Sequence, residues 1–498
     1  MRIMTLIDTG RARFRFAAKP LLAAALVVAF DQLLLFHEVG WTLGLFTFAW
    51  LVASVMAHPE VWRDKRALAA VAAALLSCVS LIEQPGLLGW ALFCTTIALT
   101  ILLPRVGPFG DVVDWALRLI WMGFAGLVAP WRDFIRVRQA RLKLKSPPLL
   151  IRLTILILPI IGGIVFITLF VAANPVLAEM LENVRWPELD IIRAACWVAA
   201  ATVVWTTLRP RRLRSGKMPV FAAPTVTVAT ASVTLSLILF NAIFAVQNGL
   251  DIAYLWSGAG LPPGVTLAQY AHRGAYPLIA TTLLAGLFVI VFLRPGSQTA
   301  KLPLVRRMVV LWVAQNILLV ASSILRILDY IDAYSLTRLR IAALLWMGLV
   351  GVGLALVCWR MLGEKSSAWL VNTNAAAAAA VLFAVSFVDL GAIAAGWNVR
   401  HAREMAGTGA SLDIGYLQGL GPSALMPLLE VETRSPDPRL RSYAGGLRSD
   451  ALHELERRQA DWRAWTWRGA RRLARYRQLV VEQPPVQNAL QLTSAVAR

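Results

Sequence analysis

The sequence is poor in the residues that most catalytic chemistry requires. Its 498 residues include only four cysteines and five histidines. Cys78, Cys94, Cys196 and Cys358 all lie in apolar runs at no short metal-ligand spacing, which argues for packing rather than a zinc site or a disulfide framework. The histidines, His37, His58, His272, His401 and His453, are scattered along the chain. No His-Glu-x-x-His, no phosphate-binding Gly-Lys-Ser/Thr loop, no dinucleotide glycine fingerprint and no Gly-x-Ser-x-Gly elbow is present. Familiar soluble-enzyme chemistry is not expected, and the residues assign no catalytic group, no metal and no cofactor.

Charge is also scarce, at 15% of residues, whereas 58% are hydrophobic and the mean hydropathy is +0.64. A soluble core cannot absorb that much apolar surface. A bilayer crossing needs roughly 20 apolar residues for a core of about 30 Å. Eleven runs approach that length: 20–36, 41–57, 67–82, 86–103, 149–173, 191–208, 225–246, 275–293, 308–328, 341–359 and 375–397. The expected fold is all-α, a polytopic transmembrane helical bundle with a helical extracytoplasmic tail.

Basic residues orient it. Before the last hundred residues, alternate connections together with the N-terminus hold 27 Lys and Arg, and the opposite connections hold only Arg185, Arg273, Arg338 and Arg340. Short basic loops resist translocation, so the rich side is cytoplasmic. Eleven spans then put the N-terminus inside and the C-terminus outside, as expected of a bacterial inner-membrane protein. Residues 111–131 look apolar, but Asp111, Asp114 and Arg118 and the following basic loop fit an amphipathic helix in the cytoplasmic interface, with Trp115, Trp121 and Trp131 at headgroup depth. A twelfth span with every later loop inverted is the rival reading. The basic start and apolar run at the N-terminus read as an uncleaved first helix. The net charge of +21 mostly belongs to the loops facing anionic lipid, and nucleic acid is not an expected partner.

Five charges fall inside the drawn spans: Asp31, Arg152, Arg193, Arg326 and Asp389. Charges there are costly and call for a partner or a role. Arg193 and Arg326 lie near the outer boundary, where snorkelling to the headgroups is open to both. Asp389 stands on the order of 12 Å from the outer end of its run at 1.5 Å per residue, too deep to snorkel. It is expected to be protonated, to face a water-filled cavity, or to pair with Arg193 or Arg326. A purely structural tie between helices is equally open for it. Gln315 and Asn316, in the middle of their run, read as interhelical hydrogen-bonding groups. Outer connections add Asn174, Gln247, Asn248, Asp251, Tyr270, His272, Arg273, Asp329, Tyr330, Asp332, Tyr334, Arg338 and Arg340. If their helices converge, these residues line an outward vestibule with Asp389 at its floor; an ordinary solvated rim is the alternative.

The stretch 254–286, YLWSGAGLPPGVTLAQYAHRGAYPLIATTLLAG, resembles the signature of a bacterial multipass membrane family described as domain of unknown function 4173. Residues 326–347, RILDYIDAYSLTRLRIAALLWM, and 398–429 resemble its other blocks, so the resemblance covers about Leu149 to Leu429. It implies a multipass membrane protein and carries over no reaction.

The chain thus divides into a four-span segment (1–110), an interfacial helix with a basic loop (111–148), a seven-span core (149–397), a tail (398–482) and a disordered end (483–498). The tail has 15 Arg, 10 acidic residues and no Lys. Short helices are expected at 412–418 and 423–432, around Gly419 and Gly421, and one long amphipathic helix at 450–481. Trp462, Trp465, Trp467, Arg468, Arg471 and Arg472 form its aromatic and basic face, suited to membrane lipid or an extracytoplasmic protein partner, or packed on the tail's own hairpin. The functional expectation is a non-enzymatic envelope protein anchoring this tail. A transporter or lipid translocator using the outer polar site is the runner-up, and an enzyme acting on a lipid-linked substrate, with Asp389 or His272 as acid or base, comes third. The absence of a convincing internal repeat weighs against the transporter.

Overall fold

The computed structural model describes residues 2–106, 110–143, 190–210, 230–257, 284 and 302–482. The expected spans at 149–173 and 275–293, and the site residues Arg152, Asn174, Tyr270, His272 and Arg273, lie outside them. Among the described residues the regular structure is all helical. The elements are α1 (Arg2–Leu33), α2 (Thr42–Ala57), α3 (Lys65–Glu83), α4 (Leu87–Leu102), α5 (Val112–Lys143), α6 (Ile191–Leu208), α7 (Thr230–Asp251), α8 (Pro303–Tyr334), α9 (Arg338–Leu362) and α10 (Ser367–Ser386). The tail follows as α11 (Leu390–His401), α12 (Arg403–Ala406), α13 (Ile414–Gly419), α14 (Leu425–Arg434), α15 (Pro438–Ala460) and α16 (Trp467–Glu482). Eight described helices are long and apolar enough to cross a membrane, and α2 is a shorter apolar helix of 16 residues.

Two packs form. In the first, α1 to α4 and α6 bury Leu26, Phe46, Trp50, Leu81, Phe93 and Leu208 together. Crossing is tight where α2 meets α3: a Cβ at Gly44 would lie 2.4 Å from Ile82 Cγ1 and 2.8 Å from the Cys78 carbonyl oxygen. Only glycine lets the two backbones approach so closely. In the second pack, α7, α8 and α9 enclose Leu237, Val309, Trp312, Val313 and Leu354. Asn241 and Asn248 donate to the Met308 and Gln315 carbonyls at 3.1 Å each, which sets α7 parallel to α8. Gln315 Nε2 donates to Asn241 Oδ1 at 3.1 Å, so its interhelical role holds; Asn316 instead bonds its own helix, at the Trp312 carbonyl.

The turns at 34–41, 84–86, 335–337 and 387–389 lie at one end of the bundle, where the tail covers them. At the opposite end, the buried C-terminal carbonyls of α6, which lack partners within the helix, find donors. His58 meets the Thr207 oxygen at 2.9 Å through Nε2, and Lys19 Nζ donates to the Leu208 oxygen at 2.8 Å. Arg105 lies 2.7 Å from His58 Nδ1 and also donates to Glu60 at 2.6 Å. A guanidinium only donates, so Nδ1 accepts and Nε2 carries the hydrogen. Two points of α5 meet this same end: the Val112 N–H donates to Asn372 Oδ1 near the start of α10, and Asp133, ten residues before the C-terminus of α5, pairs with Arg209 just past α6 at 3.1 Å. By length and hydropathy Val112–Asp133 is one of the eight helices that could cross a membrane.

Two expected boundaries move. The apolar pattern reads 375–397 as one continuous run, but α10 starts at Ser367 and stops at Ser386, and Asp389 begins a new helix by accepting the Ala392 N–H at 3.0 Å. An aspartate that caps a helix N-terminus satisfies orphan donors, and that preference ends the run. The long tail helix expected at 450–481 is broken between Ala460 and Trp467, because Asp461 turns the chain and accepts the Arg463 N–H at 2.9 Å. The two short helices are found as α13 and α14, joined through a 3₁₀ turn at Gly421–Ala424.

Burial, with Arg105 and Lys19 close by, pushes the His58 imidazole down from 6.5 to about 4. The unfolded chain takes up this proton first, so the contact stabilises fully above about pH 6.5 and its contribution is lost as pH falls toward 4. Thermal unfolding of purified protein is expected to show a decline in stability across that window, and His58→Gln, which keeps a donor to Thr207, is expected to flatten it.

Candidate functional site

The site forms where the tail meets the ends of both packs. α11, α13 and α14 bury Ala395, Val399, Leu417, Leu420, Leu428 and Val431 with Ala444 and Leu447 of α15, and Leu425, Ala451 and Leu455 pack on Leu473 and Tyr476 of α16. The tail is therefore a helical unit with a core of its own, and α11 belongs to it. Asn398, 3% exposed, ties this unit to the α8–α9 turn by accepting the Leu336 N–H at 2.6 Å and donating to the Leu336 carbonyl at 2.9 Å. The Tyr416 hydroxyl accepts the Arg338 N–H at 2.9 Å.

The break between α15 and α16 docks on the first pack. Trp41 donates its backbone N–H to the Trp465 carbonyl at 2.7 Å and its indole N–H to the Trp462 carbonyl at 2.6 Å, and the Trp41 and Trp465 rings meet edge to face at 6.2 Å. A Cβ at Gly40 would stand 2.3 Å from the Arg463 carbonyl oxygen and 2.6 Å from that of Trp465. Arginines secure the contact on either side. Arg457 bonds Glu38 at 2.6 Å, Arg468 bonds Glu83 at 3.3 Å, Arg471 also pairs with Glu83, and Arg472 pairs with Asp389. Ser423 donates to Asp389 at 3.1 Å. Burial alone would push the Asp389 carboxyl up, but the Ala392 N–H, the Arg472 guanidinium and the Ser423 hydroxyl hold it below the ordinary carboxylate range.

Neither arginine expected beside Asp389 reaches it. Arg193 is bound to Asp31, with Nε donating to Oδ1 at 2.7 Å, and Trp197 adds an indole N–H at 2.8 Å. Arg326 pairs with Asp251, both nearly inaccessible at 5% and 0% exposure, and Gln247 donates to the same carboxylate at 3.0 Å. The helix order explains the difference: α6 runs antiparallel beside α1, and α8 lies along α7, so each base meets the acid on its neighbour rather than Asp389 at the start of α11. Asp329 is half-buried; Tyr330 lies under Arg340, whose guanidinium is 4.4 Å from the ring centre. Of the expected vestibule, Asp389 and Arg338 come together in one cavity, and Arg468 and Arg472 join them from the tail. Glu38, Trp41, Glu83, Gln84, Arg457, Arg458 and Gln459 were not anticipated. A sequence signal for some of them existed: the turns beside the first pack hold acids, and the tail has arginine and no lysine.

That cavity measures about 380 Å³ and is lined by Arg338, Arg458, Arg468 and Arg472 against the single carboxylate of Asp389, with Gln84 and Gln459 beside them. Arg468 Nη2 and Gln459 Oε1 are buried with no hydrogen-bond partner among the described residues. Among those residues no group of three or more His, Cys, Asp or Glu side chains could hold a metal.

Fold and site together define a polytopic helical membrane protein whose C-terminal helical unit is clamped over one end of its bundle. A family model for a domain of unknown function, DUF4153, matches residues 70–431, and the chain belongs to that family. This corrects the resemblance to family 4173 and extends the family region back into α3. The segments outside the match, 1–69 and 432–498, include both sides of the Trp41 contact. No curated protein and no solved structure matches the chain.

Gly40→Ala is expected to undock the α15–α16 break, because the added methyl meets backbone that cannot give way. Limited proteolysis should cut near 461–466 several-fold faster than in the parent, whereas Gly86→Ala, at a position with open space around its Cβ, should cut at the parent rate. Arg326→Met alone is expected to lose about 3–5 kcal/mol of stability, because the buried Asp251 carboxylate loses its countercharge and keeps only neutral donors such as Gln247. Adding Asp251→Leu should recover most of that loss, as measured by thermal unfolding in detergent.

Proposed function

We propose that the chain is a multipass inner-membrane protein of the bacterial envelope, with eleven spans, a cytoplasmic N-terminus and an extracytoplasmic C-terminus. In this reading α5 lies in the cytoplasmic interface and the protein performs no chemistry of its own. It anchors a helical tail that serves as the interaction region on the outer side. The observation that carries the reading is the docking itself: one tail closes over turns of both helix packs at a single end, which makes the tail a fixed platform.

Much of the tail's basic and aromatic face is used in this docking. Trp465 packs on Trp41, and Arg468, Arg471 and Arg472 hold carboxylates of the bundle. The rings left for a partner are those of Trp462, Trp467 and Tyr443, each more than half exposed. Exposed aromatics on a rigid support are the usual anchors of protein interfaces. The basic count supports the orientation, because among the described residues Arg63, Arg66, Arg105, Arg209, Arg306 and Arg360 stand at the end opposite the tail. Translocation is a second reading, favoured by the basic cavity beneath the tail.

Alkaline phosphatase fused after Arg498 is expected to be active and a fusion after Pro210 inactive; the reverse result would invert the map. In cells, Trp462→Ala with Trp467→Ala, at normal protein level, is expected to reproduce the phenotype of deleting the gene. Full complementation by that variant would reduce the tail to a structural cap.

A further inference from the structure

We infer that the cavity under the tail, together with the groove beside it, is a binding site for an anionic phospholipid. A second cavity of about 960 Å³ opens between α1, α2, α4 and α6, and its walls are mostly apolar: Phe30, Leu34, Phe46, Trp50, Trp90 and Val203. It starts at the tail end of the bundle, where Glu38, Glu454, Arg457 and Arg458 surround its mouth, and reaches down to Trp50. From Thr42 to Trp50 this is on the order of 12 Å along α2 at 1.5 Å per residue. Gln84 and Arg458 line both this groove and the arginine-lined cavity, so the two adjoin.

The combination selects the ligand. Guanidinium groups in a partly closed cavity favour phosphate oxygens, which take parallel hydrogen bonds from an Arg fork. Arg338 brings a side chain with no carboxylate at ion-pair distance among the described residues, and Arg468 Nη2 offers a buried donor with no hydrogen-bond partner among them. Arg458 is only loosely held, 3.5 Å from Glu38. A free inorganic anion would use this cavity and leave the groove unexplained. A lipid uses both, with its headgroup phosphate among Arg338, Arg458 and Arg468 and the upper part of an acyl chain between α2 and α6. Zwitterionic lipid fits less well, because its cationic amine would enter a region of excess positive charge.

The ligand does not depend on the proposed orientation; only the leaflet it comes from does. The phosphatase fusions test that orientation, and a titration of purified protein tests the lipid. Full-length protein in neutral detergent is titrated with dioleoylphosphatidylglycerol, with dioleoylphosphatidylcholine, and with glycerol 3-phosphate, following thermal unfolding. Phosphatidylglycerol is expected to raise the midpoint in a saturable way, and the other two to leave it unchanged. Arg338→Gln, at an exposed side chain that pairs with no carboxylate of the clamp and whose backbone bond to Tyr416 the substitution keeps, should weaken the apparent affinity about tenfold. Ala199→Trp, which fills the groove from α6, should remove the response while protease resistance of the tail stays at the parent level. Equal stabilisation by phosphatidylcholine, an equal effect of glycerol 3-phosphate, or a full phosphatidylglycerol response in both variants would overturn the inference.

Discussion

The arrangement depends on guanidinium–carboxylate pairing between the tail and the turns of the bundle. These pairs are unequal. Arg457 and Glu38 are each around half exposed, where water and salt leave an ion pair little net value. Arg468 with Glu83, and Arg472 with Asp389, keep less than a fifth of either side chain exposed. There the loss of one partner strands a charge in a poorly hydrated seam, so the pair specifies the docked position even where its net stabilisation is modest. Trp41 adds what the charges lack, namely two directional bonds to carbonyls that the break between α15 and α16 leaves outside any helix.

The same logic operates between helices of the bundle. Asp31 with Arg193 and Asp251 with Arg326 each join two neighbouring helices, α1 to α6 and α7 to α8. Ionisable groups within apolar helices call for partners, and here the partner lies on the adjacent helix. At the far end, His58, Lys19 and Arg105 serve the carbonyls and the neighbouring acid where α6 terminates. Helix ends are costly when their last carbonyls lack donors, and basic side chains there meet both the hydrogen bonds and the helix dipole. The functional question concentrates on the tail face because one cavity there keeps positive charge in excess of its acids.

Much of this was legible in the sequence, and the parts that were not have physical reasons. The helices, their approximate ends and a polar site at Asp389 followed from apolar run length and charge position. The partner of Asp389 did not: pairing in space is set by which helices adjoin, and Arg472 lies 83 residues away in a segment that pattern alone renders as one long helix. The break at Asp461 was missed because helical spacing of Leu and Trp persists across it, whereas the competing Asx turn is a local preference that docking reinforces. Glu38 and Glu83 were passed over because orientation is read from basic residues alone.

By itself the sequence determined the class of the protein, its helical composition and the sorting of basic residues between connections, since hydration cost and span length act residue by residue along a chain. Only the tertiary structure decided which arginine meets which carboxylate, that the tail is clamped rather than free, and that an arginine-lined cavity adjoins an apolar groove. Those properties arise from contacts between segments hundreds of residues apart, and no local pattern encodes the distance that folding brings to a few ångströms.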